Sequence, residues 1–185
     1  MKRTLKVYTL SLLIAPLLFI VSCKKDESPK TDLATAKKEW VTGSWSQKDI
    51  QLGVSTSVPL PGGGKIKLKE GMSMLDDPTI NALLTAAVGA NPFVFTRNNK
   101  YSFNGDGSYK VDGIVDFGGG THVLAGGAGT WDTEVYSSVL VLFPEKDKRD
   151  PHWINSITAN RLNLAISVFL PGLGDVPMKL LLEKQ

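Results

Sequence analysis

The sequence contains very few of the side chains from which most metal and disulfide sites are built. Its 185 residues include one cysteine and two histidines, His122 and His152. A zinc site needs three or four nitrogen or sulfur ligands, and neither C-x-x-C nor H-E-x-x-H occurs. A single cysteine has no disulfide partner within the chain. These shortages argue against a zinc centre and a disulfide framework, and we expect both histidines to be ordinary surface or rim residues.

Motifs of nucleotide-binding, calcium-binding and hydrolytic proteins are also missing. The glycine clusters at 62–64, 118–120 and 172–174 are not followed by Lys-Ser or Lys-Thr and a helix, so no phosphate-binding loop is indicated. The segment 104–107 (NGDG) lacks the ligand spacing and the distant glutamate of a calcium loop, and is typical of a hairpin turn. No G-x-S-x-G is present. We therefore expect a protein that is not an enzyme and has no cofactor, catalytic residue or metal site.

The first 22 residues have the pattern of a secretory signal. Lys2, Arg3 and Lys6 form a positive start, and residues 7–21 carry no charge. A basic start, a short apolar run and a small residue at the cleavage point are typical of a signal peptide. The apolar run is shorter than the roughly 20 residues that a membrane-spanning helix needs. Residues 1–22 are therefore predicted to be removed on export.

Cys23 indicates the kind of signal. The stretch 20–23 (IVSC) resembles the bacterial lipobox, an aliphatic residue and two tolerant positions before an acceptor cysteine. The resemblance implies that the Cys23 thiol is lipid-modified and becomes the first residue of the mature chain. Acylation would explain an unpaired exported thiol, and two or more acyl chains give stable membrane anchoring. The alternative is an ordinary signal peptide that happens to end near a cysteine.

The charge balance changes when the signal is removed. The full chain has 21 basic and 18 acidic residues, and three of the basic ones lie in the signal, which leaves 18 of each. A neutral mature chain has no basic footprint for nucleic acid. Residues 23–31 are predicted to be a lipid-anchored tether, and its charged run 24–27 resembles that of Bacteroidetes lipoproteins. This resemblance implies an outer-membrane location, with exposure at the cell surface as a further option.

Residues 32–185 are predicted to form one mainly β domain with two helices. A short N-terminal helix is expected before Gly43. An inserted helix is expected at 79–88, because Asp77 is a good N-cap and Pro78 suits the first helical position. This inserted helix would either cover the mouth of a cavity or pack on the outside of the sheet.

The remaining pattern consists of short apolar-alternating segments separated by turn signals. The candidate strands are 45–54, 65–69, 101–103, 109–111, 114–117, 122–124, 129–135, 138–143, 161–169 and 178–182, with 154–157 as a further one. Segments of this kind in sequence, with little room for crossover helices, favour an antiparallel meander. Closing the meander removes its exposed edges. The sequence thus predicts an antiparallel up-and-down β-barrel of about 8–10 strands.

A family resemblance supports the barrel. The residues Gly43-Ser44-Trp45, placed after a short helix, resemble the G-x-W of the lipocalin first strand. The later run from 100 to about 170 is similar to the lipocalin-like domains of Bacteroidetes lipoproteins. The resemblance, which covers most of residues 38–170, implies that Trp45 closes one barrel end. It also implies that Arg161, from a late strand, packs across the Trp45 ring.

The alternation of apolar and polar residues along the strands predicts which side chains face inward. The candidate cavity-lining residues are Tyr101, Phe103, Tyr109, Trp131, Val139 and Leu164. A barrel of about eight strands either fills with side chains or holds one small ligand. The leading hypothesis is non-catalytic binding of a small, largely apolar ligand by a membrane-anchored protein. The alternative is an interaction module with a filled barrel that docks on a protein partner in the outer membrane or at the cell surface.

Overall fold

A computed structural model describes most of the predicted β domain. The described residues are 38–60, 63–114, 123–124, 127–135, 138–170 and 174–185. The predicted signal peptide, the lipid-attachment residue Cys23 and the tether lie outside these ranges, so they stay predictions. So do His122 and residues 115–117 of the candidate strand at 114–117. Residues 123–124 of the candidate strand at 122–124 are described, and they are not in a strand. Neither α-helix within the described ranges has the length and hydropathy required to cross a bilayer.

The described residues form two α-helices, ten strands and a short 3-10 helix at Pro92–Thr96. In chain order the elements are α1 (Lys38–Val41), β1 (Gly43–Leu52), β2 (Thr56–Pro59), β3 (Lys65–Leu68), α2 (Pro78–Val88), β4 (Lys100–Phe103), β5 (Ser108–Asp112), β6 (Ala128–Glu134), β7 (Val139–Phe143), β8 (Asp150–Ile157), β9 (Arg161–Leu170) and β10 (Gly174–Lys184). The chain is mainly β, as predicted.

Eight of the strands form a closed barrel in the order β1-β10-β9-β8-β7-β6-β5-β4. All neighbouring pairs are antiparallel, and β1 closes the barrel by pairing with both β4 and β10. From β4 to β10, strands that neighbour each other in the barrel are consecutive in the chain, and β1 lies between β4 and β10. Strands β2 and β3, which follow β1 in the chain, form a separate two-stranded hairpin. The predicted antiparallel up-and-down barrel is confirmed.

The alternation of side chains along each strand explains the barrel. In β9 the residues Leu162, Leu164, Ile166, Val168 and Leu170 are buried, and the residues between them are exposed or half-buried. Successive side chains of a strand point to opposite faces, so this row faces the interior. Similar rows from the other strands meet it there and form one hydrophobic core.

Helix α2 begins and ends at the residues that the sequence predicts. The Asp77 carboxylate accepts hydrogen bonds from the backbone N–H groups of Thr79 (2.9 Å) and Ile80 (3.1 Å). Gly89, with φ 87°, ends the helix in the left-handed conformation that glycine adopts without strain. The buried side chains of Ile80 and Leu84 attach α2 to the core.

The region between β1 and α2 differs from the sequence prediction. Residues 56–59 form strand β2, where the prolines and glycines predict only a loop, and β2 pairs with β3 at Val58↔Ile66. Pro59 is tolerated because β2 has a partner strand on one edge only, and an edge strand can lose one N–H donor. The β2–β3 hairpin projects from one end of the barrel. It borders a cavity there that the sequence pattern does not predict.

Candidate functional site

Most of the predicted lining residues pack in the core. Tyr101, Phe103, Tyr109, Trp131 and Leu164 are buried members of the hydrophobic core. The rings of Phe103 and Trp131 meet edge to face with their centroids 5.5 Å apart. This geometry is favourable for aromatic pairs and fills the space between the strands. None of these residues lines the cavity described below.

Val139 is the exception, and its predicted orientation is wrong. Strand β7 is buried on both faces, and its Leu140 and Leu142 belong to the core while Val139 does not. Val139 lies across from Trp153, whose side chain is 58% exposed. Because four consecutive residues of β7 are apolar, the sequence pattern does not distinguish the two faces of this strand. The cross-strand register decides the orientation.

Trp45 lies near the start of β1, and its predicted role of closing one barrel end stays a prediction. Its side chain is completely buried, and its indole N–H donates a 2.8 Å hydrogen bond to the carbonyl oxygen of Val41 at the end of α1. The short helix is thereby joined to the first strand. The ammonium group of Lys184 lies 5.2 Å from the centroid of the Trp45 ring. A cation at this distance is attracted to the face of an indole.

The predicted role of Arg161 must be corrected, because Lys184 takes this position over Trp45. Lys184 lies directly across from Trp45 in the β1–β10 ladder, so the two side chains share a face. Arg161 is exposed and lies across from Glu183 in the neighbouring ladder. Glu183 precedes Lys184, so the alternation of the strand places Arg161 on the outer face.

Gly43 makes room for the Lys184 side chain. A Cβ atom added at Gly43 would lie 2.6 Å from Cε of Lys184, which is closer than two carbon atoms can approach. Gly43 also has φ 139°, a conformation that other residues rarely adopt. The glycine of the G-x-W motif thus serves both the backbone bend into β1 and the cation above the tryptophan.

A chain of polar side chains crosses the core. The Tyr101 hydroxyl donates to Oε1 of Gln47 (2.8 Å), and Nε2 of Gln47 donates to Oγ1 of Thr96 (2.7 Å). The Thr96 hydroxyl donates to the carbonyl oxygen of Phe93 (2.7 Å). Burial raises the pKa of Tyr101 well above its usual range. Because each side-chain group is neutral and has a partner, the network joins the 3-10 helix to the barrel rather than supplying a reactive group.

His152 is buried, contrary to the expectation of a surface or rim residue. Its Nε2 lies 2.8 Å from an Asp150 carboxylate oxygen. Burial, together with the nearby Asp150 carboxylate, raises the pKa of Tyr109 to about 12. Within the described ranges no three His, Cys, Asp or Glu side chains come close enough to hold a metal ion. The Asp150–His152 pair is thus a local polar contact of β8.

A cavity of about 570 Å³ opens at the opposite end of β1 from Trp45. Its walls are the β2–β3 hairpin, helix α2 and the paired ends of β9 and β10. The lining is mostly aliphatic, with Leu52, Leu68, Met74, Leu84, Leu170 and Val176 among its residues. Helix α2 contributes Ile80, Leu83, Ala86 and Ala87. The helix therefore forms part of the cavity wall, whereas the sequence interpretations were a lid over a cavity mouth or a helix packed on the outside of the sheet.

Few polar groups reach this cavity. Thr56 and Ser57 of β2 contribute hydroxyl groups, and Asp175 of β10 is the one charged residue in the described part of the lining. This site was not predicted, because the predicted lining residues lie in the middle of the barrel. The available signals were the two prolines and four glycines between β1 and β3, which indicate that the chain leaves the sheet there, and the charge-free segment of α2.

No protein-family model matches this chain, and a search of curated proteins found no match either. The likeness to lipocalin-like domains accordingly depends on the G-x-W residues, on the short helix before them and on the eight-stranded barrel order.

Proposed function

We propose that this protein is a lipid-anchored, lipocalin-like envelope protein that binds a small, largely apolar ligand without catalysing a reaction. The observation that carries the proposal is the aliphatic cavity of about 570 Å³ between the β2–β3 hairpin, α2 and the β9–β10 end. Ligand pockets commonly have volumes of about 300–1,000 Å³, apolar walls and a few polar groups. The cavity meets each of these criteria.

The burial of apolar surface supplies the binding energy in such a site. Each square ångström of apolar surface removed from water contributes about 25 cal/mol. A ligand with an apolar body gains this free energy when it packs against the aliphatic lining. Small residues on α2, among them Ala86 and Ala87, keep the cavity open where larger side chains would fill it.

The ligand site is tested by filling it. Ala87→Trp puts an indole on the α2 wall, and Ala82→Trp is the matched control, because Ala82 is an exposed residue of the same helix outside the lining. Binding of the neutral fluorescent probe N-phenyl-1-naphthylamine is measured by titration. We expect Ala87→Trp to weaken binding at least tenfold and Ala82→Trp to leave it within about twofold. Equal binding by both variants would contradict a site in this cavity.

The membrane anchor is a separate part of the proposal. The lipobox resemblance and the unpaired Cys23 support it. Mass spectrometry of the membrane fraction should find a mature chain that begins at Cys23 and carries acyl mass, consistent with an outer-membrane protein. Cys23→Ala should give an uncleaved or soluble exported form. A mature chain that starts elsewhere, or one without acyl mass, would refute the anchor but not the ligand site.

One observation favours the alternative function of docking on a protein partner in the envelope. Residues 78–96 carry no charge, and two of their apolar side chains are prominent at the surface, Phe95 (62% exposed) and Val88 (46%). Exposed apolar patches often mark interaction sites. If no variant changes probe binding while Phe95→Ser abolishes recovery of a cross-linked envelope protein, docking is the better description.

A further inference from the structure

Among the described residues that line the cavity, Asp175 is the only charged one. We infer that the ligand carries a cationic or hydrogen-bond-donating head group on its apolar body, and that Asp175 selects it. This inference rests on the proposed function, because it assumes that the cavity is the binding site. Among the described residues Asp175 takes part in neither a salt bridge nor a side-chain hydrogen bond. Its side chain lies on the opposite face of β10 from Val176, which packs against the core, so its carboxylate is available to a head group at the solvent side of the cavity rather than inside it.

The backbone beside Asp175 also favours a ligand head group that donates a hydrogen bond. Strand β10 pairs with β9 from Gly174 onward, whereas its pairing with β1 begins only at Met178. The first residues of β10 therefore have one free edge among the described strands. The carbonyl oxygen of Pro177 accepts from Gly53 N–H (2.8 Å), and backbone groups two residues apart point to the same side of a strand. The Asp175 carbonyl thus faces this edge.

The cavity wall is poor in donors. The lining residues Pro59 and Pro177 have no backbone N–H, and no Lys, Arg or His is among the described residues that line the cavity. Lys179, the next basic residue along β10, forms an ion pair with Glu70. Lys67 lies across from Ser57 in the hairpin but is not part of the lining. A carboxylate head group would meet Asp175 without a compensating cation, whereas an ammonium group would find an acceptor.

The expected preference is modest, because Asp175 is solvent-exposed. Exposed ion pairs change an equilibrium by roughly 1.5- to 5-fold. We therefore expect an amine to bind about threefold more tightly than an alcohol with the same chain. A carboxylate with that chain should bind more weakly than the alcohol.

Three ligands that differ only in their head group test the inference. Decylamine, decanol and decanoate are titrated at neutral pH against protein loaded with N-phenyl-1-naphthylamine, below the concentration at which any of them aggregates. The expected order of affinity is decylamine, decanol, decanoate. An equal or reversed order would overturn the inference, and the reversed order would indicate that the hairpin lysines govern the head group.

Asp175→Asn removes the charge at nearly constant size. It should bring decylamine to within about 1.5-fold of decanol while the affinity for decanol stays the same. Asp112→Asn, which removes an exposed carboxylate on β5 outside the lining, should leave the threefold preference intact. Retention of the preference by Asp175→Asn would exclude Asp175 as its source. Failure of all three ligands to displace the probe would instead contradict the proposed function.

Discussion

At the residue scale, Trp45 illustrates how one buried side chain joins a helix to the barrel. Its indole is fully buried, holds α1 by a hydrogen bond and lies beneath the Lys184 ammonium. The same residue type occurs at Trp153 on the outer face, where 58% of the side chain is exposed. The two tryptophans therefore form a matched pair for mutation.

Trp45→Ala is expected to lower the free energy of unfolding by about 3–5 kcal/mol, because it removes a large buried side chain and leaves a cavity. Trp153→Ala should cost about 1 kcal/mol or less, because most of that ring already faces water. Urea denaturation followed by circular dichroism measures both values. Equal losses in the two variants would show that the Trp45 end does not contribute more to stability.

Gly43 is expected to tolerate no side chain. Gly43→Ala places a Cβ in a strained backbone conformation and against Lys184, at a cost of about 1–3 kcal/mol. Lys184→Ala in the same chain should recover part of this loss by removing the close contact, while the backbone strain persists. Gly105→Ala is the control, because an added Cβ there meets nothing within 4 Å. A fully additive double mutant would show that Lys184 does not pack over Gly43.

At the element scale, helix α2 connects the fold to the proposed site. It is attached through Ile80 and Leu84, while Ala86 and Ala87 face the cavity. Its start depends on Asp77, whose carboxylate accepts two backbone N–H groups. A change at this cap therefore tests both the stability of the helix and the integrity of the cavity wall.

Asp77→Ala is expected to destabilise the protein by about 1 kcal/mol, since two N–H donors of the first turn lose their acceptor. Binding of N-phenyl-1-naphthylamine should weaken as well, because the wall of the cavity becomes less ordered. Asp112→Ala, on β5, should change neither quantity by a comparable amount. Lost stability with unchanged probe binding would place the probe away from α2.

The helices and strands also show which structural features the sequence pattern predicts. The residues around Asp77 and Gly89 predict α2 within one residue of its observed start, because caps act between neighbours in the chain. Alternation in β9 predicts which of its residues face the core, since polar and apolar side chains differ there. Strand β7 lacks this contrast, and the orientation predicted for Val139 was wrong for that reason.

At the scale of the whole molecule, the buried tyrosines make the free energy of unfolding depend on pH in the alkaline range. Burial, with a contribution from Asp150, raises the pKa of Tyr109 to about 12, and burial raises that of Tyr101 as well. An unfolded tyrosine has a pKa of about 10. Between about pH 10 and 12 the unfolded chain therefore binds fewer protons than the folded one, and the free energy of unfolding falls as pH rises.

This dependence is measured as the urea midpoint between pH 8 and pH 11. The midpoint should be constant up to about pH 9.5 and then decrease. Tyr109→Phe should lower stability at pH 8 but reduce the slope above pH 10, because one of the two phenols no longer titrates. If Tyr109→Phe and Tyr101→Phe both keep the wild-type slope of the urea midpoint against pH, groups other than these two tyrosines cause the decrease.

The closed antiparallel barrel was predictable from the sequence, although the candidate strand at 65–69 lies in the separate β2–β3 hairpin. Short alternating segments in succession, with turns between them, leave an antiparallel meander as the consistent arrangement. The short helix before the G-x-W residues and the strand that contains Trp45 are also present as predicted. These features depend on residues that are close to one another in the chain, so local patterns are sufficient to predict them.

The cation over Trp45 and the position of the cavity depend on contacts between distant parts of the chain. Lys184 rather than Arg161 covers the indole because the β1–β10 register places Lys184 directly across from Trp45. The cavity lies at the barrel end because the chain leaves β1 at Gly53 and returns through the β2–β3 hairpin and α2. Both outcomes depend on how segments more than 100 residues apart align, and that alignment is set by packing of the whole barrel rather than by any local pattern.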